Sequence, residues 1–418
     1  PMTLPANHPL RIELNDEVHA RPPEPLRAPL RLSFVALTAD PDARGAHWSH
    51  AGQLAARFGV APPPEGSNHW SADLGPFRVL WERHTEFARF TFIVAGAGPR
   101  PFAAPAIDAV PADWLAALPG RVLLATHTEF LPDPGGAPDW DRLGAEAFAG
   151  NPLVGGRVAG GKGTAITDFR IHGDGWGRLL VYDQGLAPRQ AGRMLQRLLE
   201  IDAYRMLALL AFPVARQLGP VIAAGERELA EITTMLAADA ARSEPELLER
   251  LTRLQATIES REAENHYRFG AAAAYYELVQ RRIVELRELR IESLPTFSEF
   301  TERRLAPAMN TCEAATSRLE SLSRRIARAS QLLSTRIEAT RERQNQALLE
   351  SMNQRAELQL RLQSTVEGLS VAAVTYYVVG LVNYAAKGVG SLGLPVDSNV
   401  VTVVAIPVVA AVVWRGIR

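Results

Sequence analysis

The chain has one cysteine, Cys312, in 418 residues. That excludes an internal disulfide framework and any metal centre built on several thiolates. Lysine is almost as scarce: of 45 basic residues, Lys162 and Lys387 are the two lysines and the rest are arginine. Together with abundant Ala and Gly, this reads as the coding bias of a GC-rich bacterium rather than as chemistry. The formal net charge is −1, which gives no support for a nucleic-acid partner, and none is expected. The first thirty residues lack a basic segment followed by an apolar run. The expectation is therefore no secretory signal and a cytoplasmic body. No GxSxG or other nucleophile arrangement occurs, and without a catalytic constellation the chain is not read as an enzyme.

What the chain does have is two apolar stretches near its end. Leu369–Ala386 holds no ionisable side chain except tyrosine, and Val400–Trp414 holds none at all. Eighteen helical residues span about 27 Å, close to the ~30 Å of a bilayer core. The thirteen residues between the stretches are rich in Gly and Pro and carry Lys387 and Asp397 as their charges. This reads as a membrane hairpin with a short external loop. Arg355 and Arg361 precede the first span, and Arg415 and Arg418 follow the second. The positive-inside tendency then puts both termini in the cytoplasm of a multi-pass inner-membrane protein, with membrane lipid as one partner.

The expected class is α+β: an N-terminal α/β domain over 1–185, a helical stalk over 186–367 and the hairpin over 368–418. Strands are expected at Leu30–Leu37, Phe77–Trp81, Phe87–Val94, Arg121–Thr126, Ala165–Ile171 and Arg178–Tyr182, the last two forming a hairpin. Helices are expected at His47–Phe58, Pro111–Leu118 and Trp140–Ala149. In the stalk, Pro188–Asp239 is helical with Pro213 and Pro220 kinking or splitting it. A second helix covers Glu244–Ile291, and a third starts near Phe297, capped by Thr296 or Ser298. Leu319, Leu322, Ile326, Ala329 and Leu333 are spaced 3-4-3-4, a coiled-coil seam, and Ile337 begins a stutter. Polar Gln344, Asn345, Gln346, Asn353 and Gln354 below it read either as a solvated face or as a lining between several copies.

Four patterns in the body could carry chemistry. Gly156–Gly163 approaches a phosphate-cradling loop, but Gly163 stands where a hydroxyl is needed and a strand follows, so a hinge is the better reading. His47 and His50 lie one helical turn apart with His69 nearby, short of a full zinc ligand set; the metal content stays unknown. His84-Thr85-Glu86-Phe87 recurs as His127-Thr128-Glu129-Phe130. If extended, Glu82, His84 and Glu86 share a strand face and form a candidate acid/base, cation or contact group. In the same way Asn15, Glu17, His19 and Arg21 point together and suggest a ligand or subunit contact.

The strings NDEVHARPPEPLRAPLRLSFVAL (15–37), WERHTEF (81–87) and LLESMNQRAELQLRLQSTVEGLSVAAVTYYVVGLVNYAAKG (348–388) resemble a family of bacterial membrane-anchored proteins of unknown function. The layout is similar to that of CorA-type magnesium transporters: an α/β body, a long helix running into the first span, a short loop and a basic tail. That resemblance implies a pentamer with the first span lining the pore. The Gly-Met-Asn triplet of those transporters is missing, and Gly380-Leu381-Val382-Asn383 is the nearest counterpart. Tyr376, Gly380, Asn383 and Lys387 fall on one helix face and are the pore-lining candidates. There Asn383 would offer carbonyl oxygens to a partly hydrated cation, and Gly380 would allow close helix approach. No cofactor is called for, although such a pore would accept a divalent cation. Helix-packing glue, with the chain a membrane-anchored scaffold or sensor, is the alternative.

Overall fold

The computed structural model describes residues 7–12, 14–15, 23–38, 44–136, 138–238, 244–390 and 397–417. They group into two units, 1–237 with 251–327, and 238–250 with 328–418.

The first unit is built on a nine-stranded sheet of the described residues. Its strands are β1 (Leu30–Thr38), β2 (His69–Asp73), β3 (Arg78–Arg83), β4 (Phe87–Ala95), β5 (Arg121–Pro132), β6 (Val154–Val158), β7 (Gly163–Thr167), β8 (Gly177–Asp183) and β9 (Leu289–Arg290). The order is β2-β3-β4-β1-β5-β8-β7-β6-β9. Only the β5–β8 pair is parallel. β1 is apolar almost throughout because both of its faces are covered. Val35 and Leu37 join Trp81, Phe90 and Phe92 in one core cluster, packed with residues of α1 (Arg44–Arg57) and α2 (Ala112–Ala116). A second cluster, around Phe148, Ile166 and Leu180, includes Ala147 of α3 (Trp140–Ala147).

Helix α4 (Pro188–Leu209) packs on β5 and buries Met194, Leu195, Leu198 and Leu199. The chain before β1 crosses this helix at Gly192. There, Leu26 N–H donates to the Pro188 carbonyl at 3.0 Å, and a Cβ on Gly192 would stand 1.7 Å from the Glu24 carbonyl oxygen. Only glycine permits that crossing. The helix breaks at Leu210, so Pro213 falls in the first turn of α5 (Ala211–Ala237), where a missing N–H costs nothing. Pro220 lies inside α5. Next come α6 (Glu244–Leu286) and α7 (Phe297–Arg304). Thr296 and Glu299 form a complete capping box at the start of α7. α8 (Ala306–Gly390) then runs for 85 residues, about 128 Å at helical rise, and α9 (Ser398–Ile417) follows.

One expectation changes. Gly156–Gly163 is neither phosphate loop nor hinge: β6 and β7 pair antiparallel across it, with Gly156 opposite Ala165, and no helix follows. The 3-4 seam is filled within the chain: Leu319, Leu322, Ile326, Ala329 and Leu333 are all buried. In the first unit, Leu322, Ile258 and Leu254 converge on Gly225 of α5, where even a methyl group would meet Leu322 at 2.9 Å. In the second unit, Arg336 of α8 pairs with Glu244, the first residue of α6, at 2.7 Å.

Candidate functional site

Glu82, His84 and Glu86 do not share a strand face, because β3 ends at Arg83 and the chain turns back at 84–86. Glu82 lies at the start of a buried chain of charges. It pairs with Arg89 of β4, and His84 Nε2 stands 3.8 Å away. Arg89 Nη1 reaches Glu200 of α4 at 3.3 Å. Glu200 also accepts from Arg282 at 2.6 Å and from Gln196 at 2.8 Å. Arg282 and Arg197 share Glu285, each at 2.9 Å. Burial would raise the Glu82 carboxyl, but His84 and then Arg89 outweigh it and hold the pKa down to about 2. Burial likewise opposes charge on Arg89, and Glu82 and Glu200 together push its pKa above the ordinary value. Glu86 turns to Arg268 of α6 at 2.9 Å. Nearby Tyr275 titrates well above an ordinary phenol, through burial and the Glu86 carboxylate. With Pro23, Leu26 and Gly192, Glu82 and Arg89 line a cavity of about 60 Å³, room for a few waters. The network therefore fixes α4 and α6 on the sheet; every charge in it already has a partner.

His47 and His50 are equally committed. They direct Nε2 to the carbonyls of Pro119 and Trp114 at 2.9 and 3.0 Å. Burial lowers both pKa values despite those bonds. His69 lies on β2, opposite Glu82. Among the described residues no group of three His, Cys, Asp or Glu could hold a metal ion. Cys312 is buried, which pushes its thiol pKa up, so it is no reactive thiolate. The two His-Thr-Glu-Phe strings sit in different settings, a turn before β4 and the middle of β5, so they are no duplicated unit.

One pairing had no signal in the sequence, because its residues are 94 positions apart. Ser33 Oγ of β1 accepts from Ile107 N–H at 3.0 Å and lies 2.9 Å from His127 Nδ1 of β5. His127 also stacks on Trp176, with ring centroids 4.0 Å apart. Ser33 is fully buried, so its hydroxyl locks two strands and meets no substrate. Burial, with Arg178 adding to it against Asp174, pushes the His127 pKa down to about 4. The unfolded chain, titrating near 6.5, thus binds the proton first. Stability present above about pH 6.5 is lost as pH falls toward 4, on the order of 3 kcal/mol from this group. Melting of the full chain between pH 7 and pH 4 should show the decline, and His127→Gln should flatten it. An equally steep decline in the variant would place the effect elsewhere.

At the other end of the chain, three helical stretches are long and apolar enough to cross a membrane, by length and composition: Pro188–Ala237, Phe297–Val389 and Ser398–Gly416. The first covers the sheet and carries the buried Glu200. On α8, Ala386 is buried, and Val371, Thr375, Val378, Val379 and Val382 are half-buried. The stripe of Tyr376, Gly380, Asn383 and Lys387 borders that covered side, at about 100° per residue. Tyr376 and Lys387 are exposed, whereas Gly380 and Asn383 are half-buried. Asn15 is exposed, and Glu17, His19 and Arg21 lie outside the described residues.

No curated protein matches the chain. No solved structure matches it either. A family model described as "Protein of unknown function (DUF3422)" matches residues 6–418, nearly the whole length. The chain, with its nine-stranded sheet and its 85-residue helix, belongs to that family.

Proposed function

We propose that the chain is an integral protein of the bacterial inner membrane that assembles as a homo-oligomer and passes cations through a CorA-like pore. The observation that carries this reading is the end of α8. An uninterrupted helix enters an 18-residue apolar segment, and that segment carries a polar stripe through Asn383 along the edge of its covered side. An amide inside the bilayer is costly unless it meets water or another helix. Copies of α8 arranged around an axis would give Asn383 both, with Tyr376 and Gly380 on the same inward side. In a CorA-like assembly the number of copies would be five, with both termini cytoplasmic.

A second reading has its own support. Lys387 shares the stripe and is exposed, and a ring of lysines at the outer mouth would repel cations. On that reading the hairpin anchors a scaffold or sensor, with no transport. Two measurements separate the readings. Native mass in mild detergent should give more than two copies; a monomer or dimer removes the channel. Cation flux into proteoliposomes should fall at least ten-fold in Asn383→Leu. Unchanged flux in that variant would remove Asn383 from the pore, and no flux in the unsubstituted protein would favour the anchored scaffold.

A further inference from the structure

Helix α8 changes partners at Arg336. Above it, the seam from Leu319 to Leu333 is buried within the chain. At Arg336 the ion pair reaches Glu244, where α6 begins. Immediately below, the 3-4 spacing slips by one residue. It resumes through Ile337, Arg341, Gln344, Leu348, Ser351, Arg355, Leu358, Leu362, Thr365, Leu369, Ala372 and Tyr376, to Val379 and Asn383. From Arg341 to Val366 every residue except Ser351 is exposed. Leu348, Leu358, Leu362, Leu369 and Tyr376 are between 60% and 78% exposed. Met352 and Val366, also exposed, flank the shifted seam and widen its apolar stripe.

We infer that the shifted seam of α8, from Leu348 to Leu369, is the contact between copies of this chain, packed in parallel against the same seam of its neighbours. This rests on the proposed reading that the chain sits in a membrane as an oligomer, and it names the surface that holds the oligomer together. Three observations select a second copy as the occupant. A 3.5-residue repeat on one helix is completed by an equal repeat on another. The shifted seam starts directly below the one already filled inside the chain, at the level where the internal partner helix begins. The helix also runs directly into the apolar span, so copies inserted the same way must lie parallel, with equal residues level. Arg341, Gln344, Ser351, Arg355 and Thr365 occupy the remaining seam positions. A dry two-stranded core would strand these groups without water, so the copies number more than two and enclose a hydrated axis. The same repeat carries Tyr376 and Asn383 onto that axis, which ties the stalk contact to the stripe in the membrane.

The test uses the full chain with Cys312→Ala and one new cysteine at a time. Leu348→Cys, Leu358→Cys and Leu362→Cys lie on the seam, and Leu349→Cys and Leu360→Cys lie off it. Each is oxidised in native membranes and the disulfide-linked dimer is quantified on a non-reducing gel. Seam positions should cross-link at least ten-fold more than off-seam positions. Equal cross-linking at all five, in a protein that native mass still finds oligomeric, overturns the seam and leaves the oligomer standing. A monomeric native mass overturns both. Seam-specific cross-linking in a protein without cation flux supports the contact and removes only the transport reading.

Discussion

Arg89→Met is expected to lower the stability of the chain by about 3 kcal/mol or more. The arginine is buried between Glu82 and Glu200. Methionine fills a similar volume but leaves two carboxylates side by side in the core. Glu200 keeps Arg282 and Gln196, whereas Glu82 keeps only His84 among its charged partners. Breaking a buried pair costs more than replacing it whole, because the orphaned charge has lost its water as well as its partner. Arg89→Met combined with Glu200→Gln should therefore destabilise less than the sum of the two single changes. Thermal unfolding of the four forms, followed by near-ultraviolet circular dichroism, completes the cycle. Strict additivity would show that the two side chains do not act as a pair.

Gly192→Ala should be nearly as damaging, for a steric rather than an electrostatic reason. The new methyl would fall 1.7 Å from the Glu24 carbonyl oxygen, so the segment crossing α4 must leave. With it would go the Leu26 hydrogen bond, the burial of Leu26 and the pairing of Glu24 with Arg78 at 2.9 Å. Overpacking costs about 1–3 kcal/mol, and exposing a buried leucine adds about 2. Gly270→Ala is the internal control. Gly270 lies inside α6, and nothing stands within 4 Å of its would-be Cβ. There, alanine should stabilise the helix by about 0.5–1 kcal/mol. Opposite shifts in melting temperature for the same chemical change would confirm the close crossing. A neutral Gly192→Ala would refute it.

The elements that were legible in the sequence are those whose pattern is local. β1, β3 and β4 are marked by near-continuous apolar runs, and the capping box at Thr296 and the start of α6 at Glu244 by their own residues. β2 was hidden because HWSAD is a short edge strand with one buried residue. β6 was hidden because Gly156 opens a string that resembles a phosphate loop. The break at Leu210 carries no Gly or Pro of its own, the nearest proline lying three residues on. The charge network was invisible for a different reason: Arg89 and Glu200 are 111 residues apart, and no spacing rule joins them. The seam is the instructive intermediate. Its 3-4 repeat was readable, but whether its partner came from the same chain or another was settled by α5 and α6, not by the repeat.

The stacking of Trp176 on His127 has a spectroscopic side. An imidazolium held 4.0 Å from an indole accepts an electron from the excited ring and quenches its emission, whereas neutral imidazole does so far less. Trp176 therefore carries an optical record of the charge on His127. Its light should dim as the proton arrives, so the protein brings its own indicator for the step at which its sheet gives way to acid.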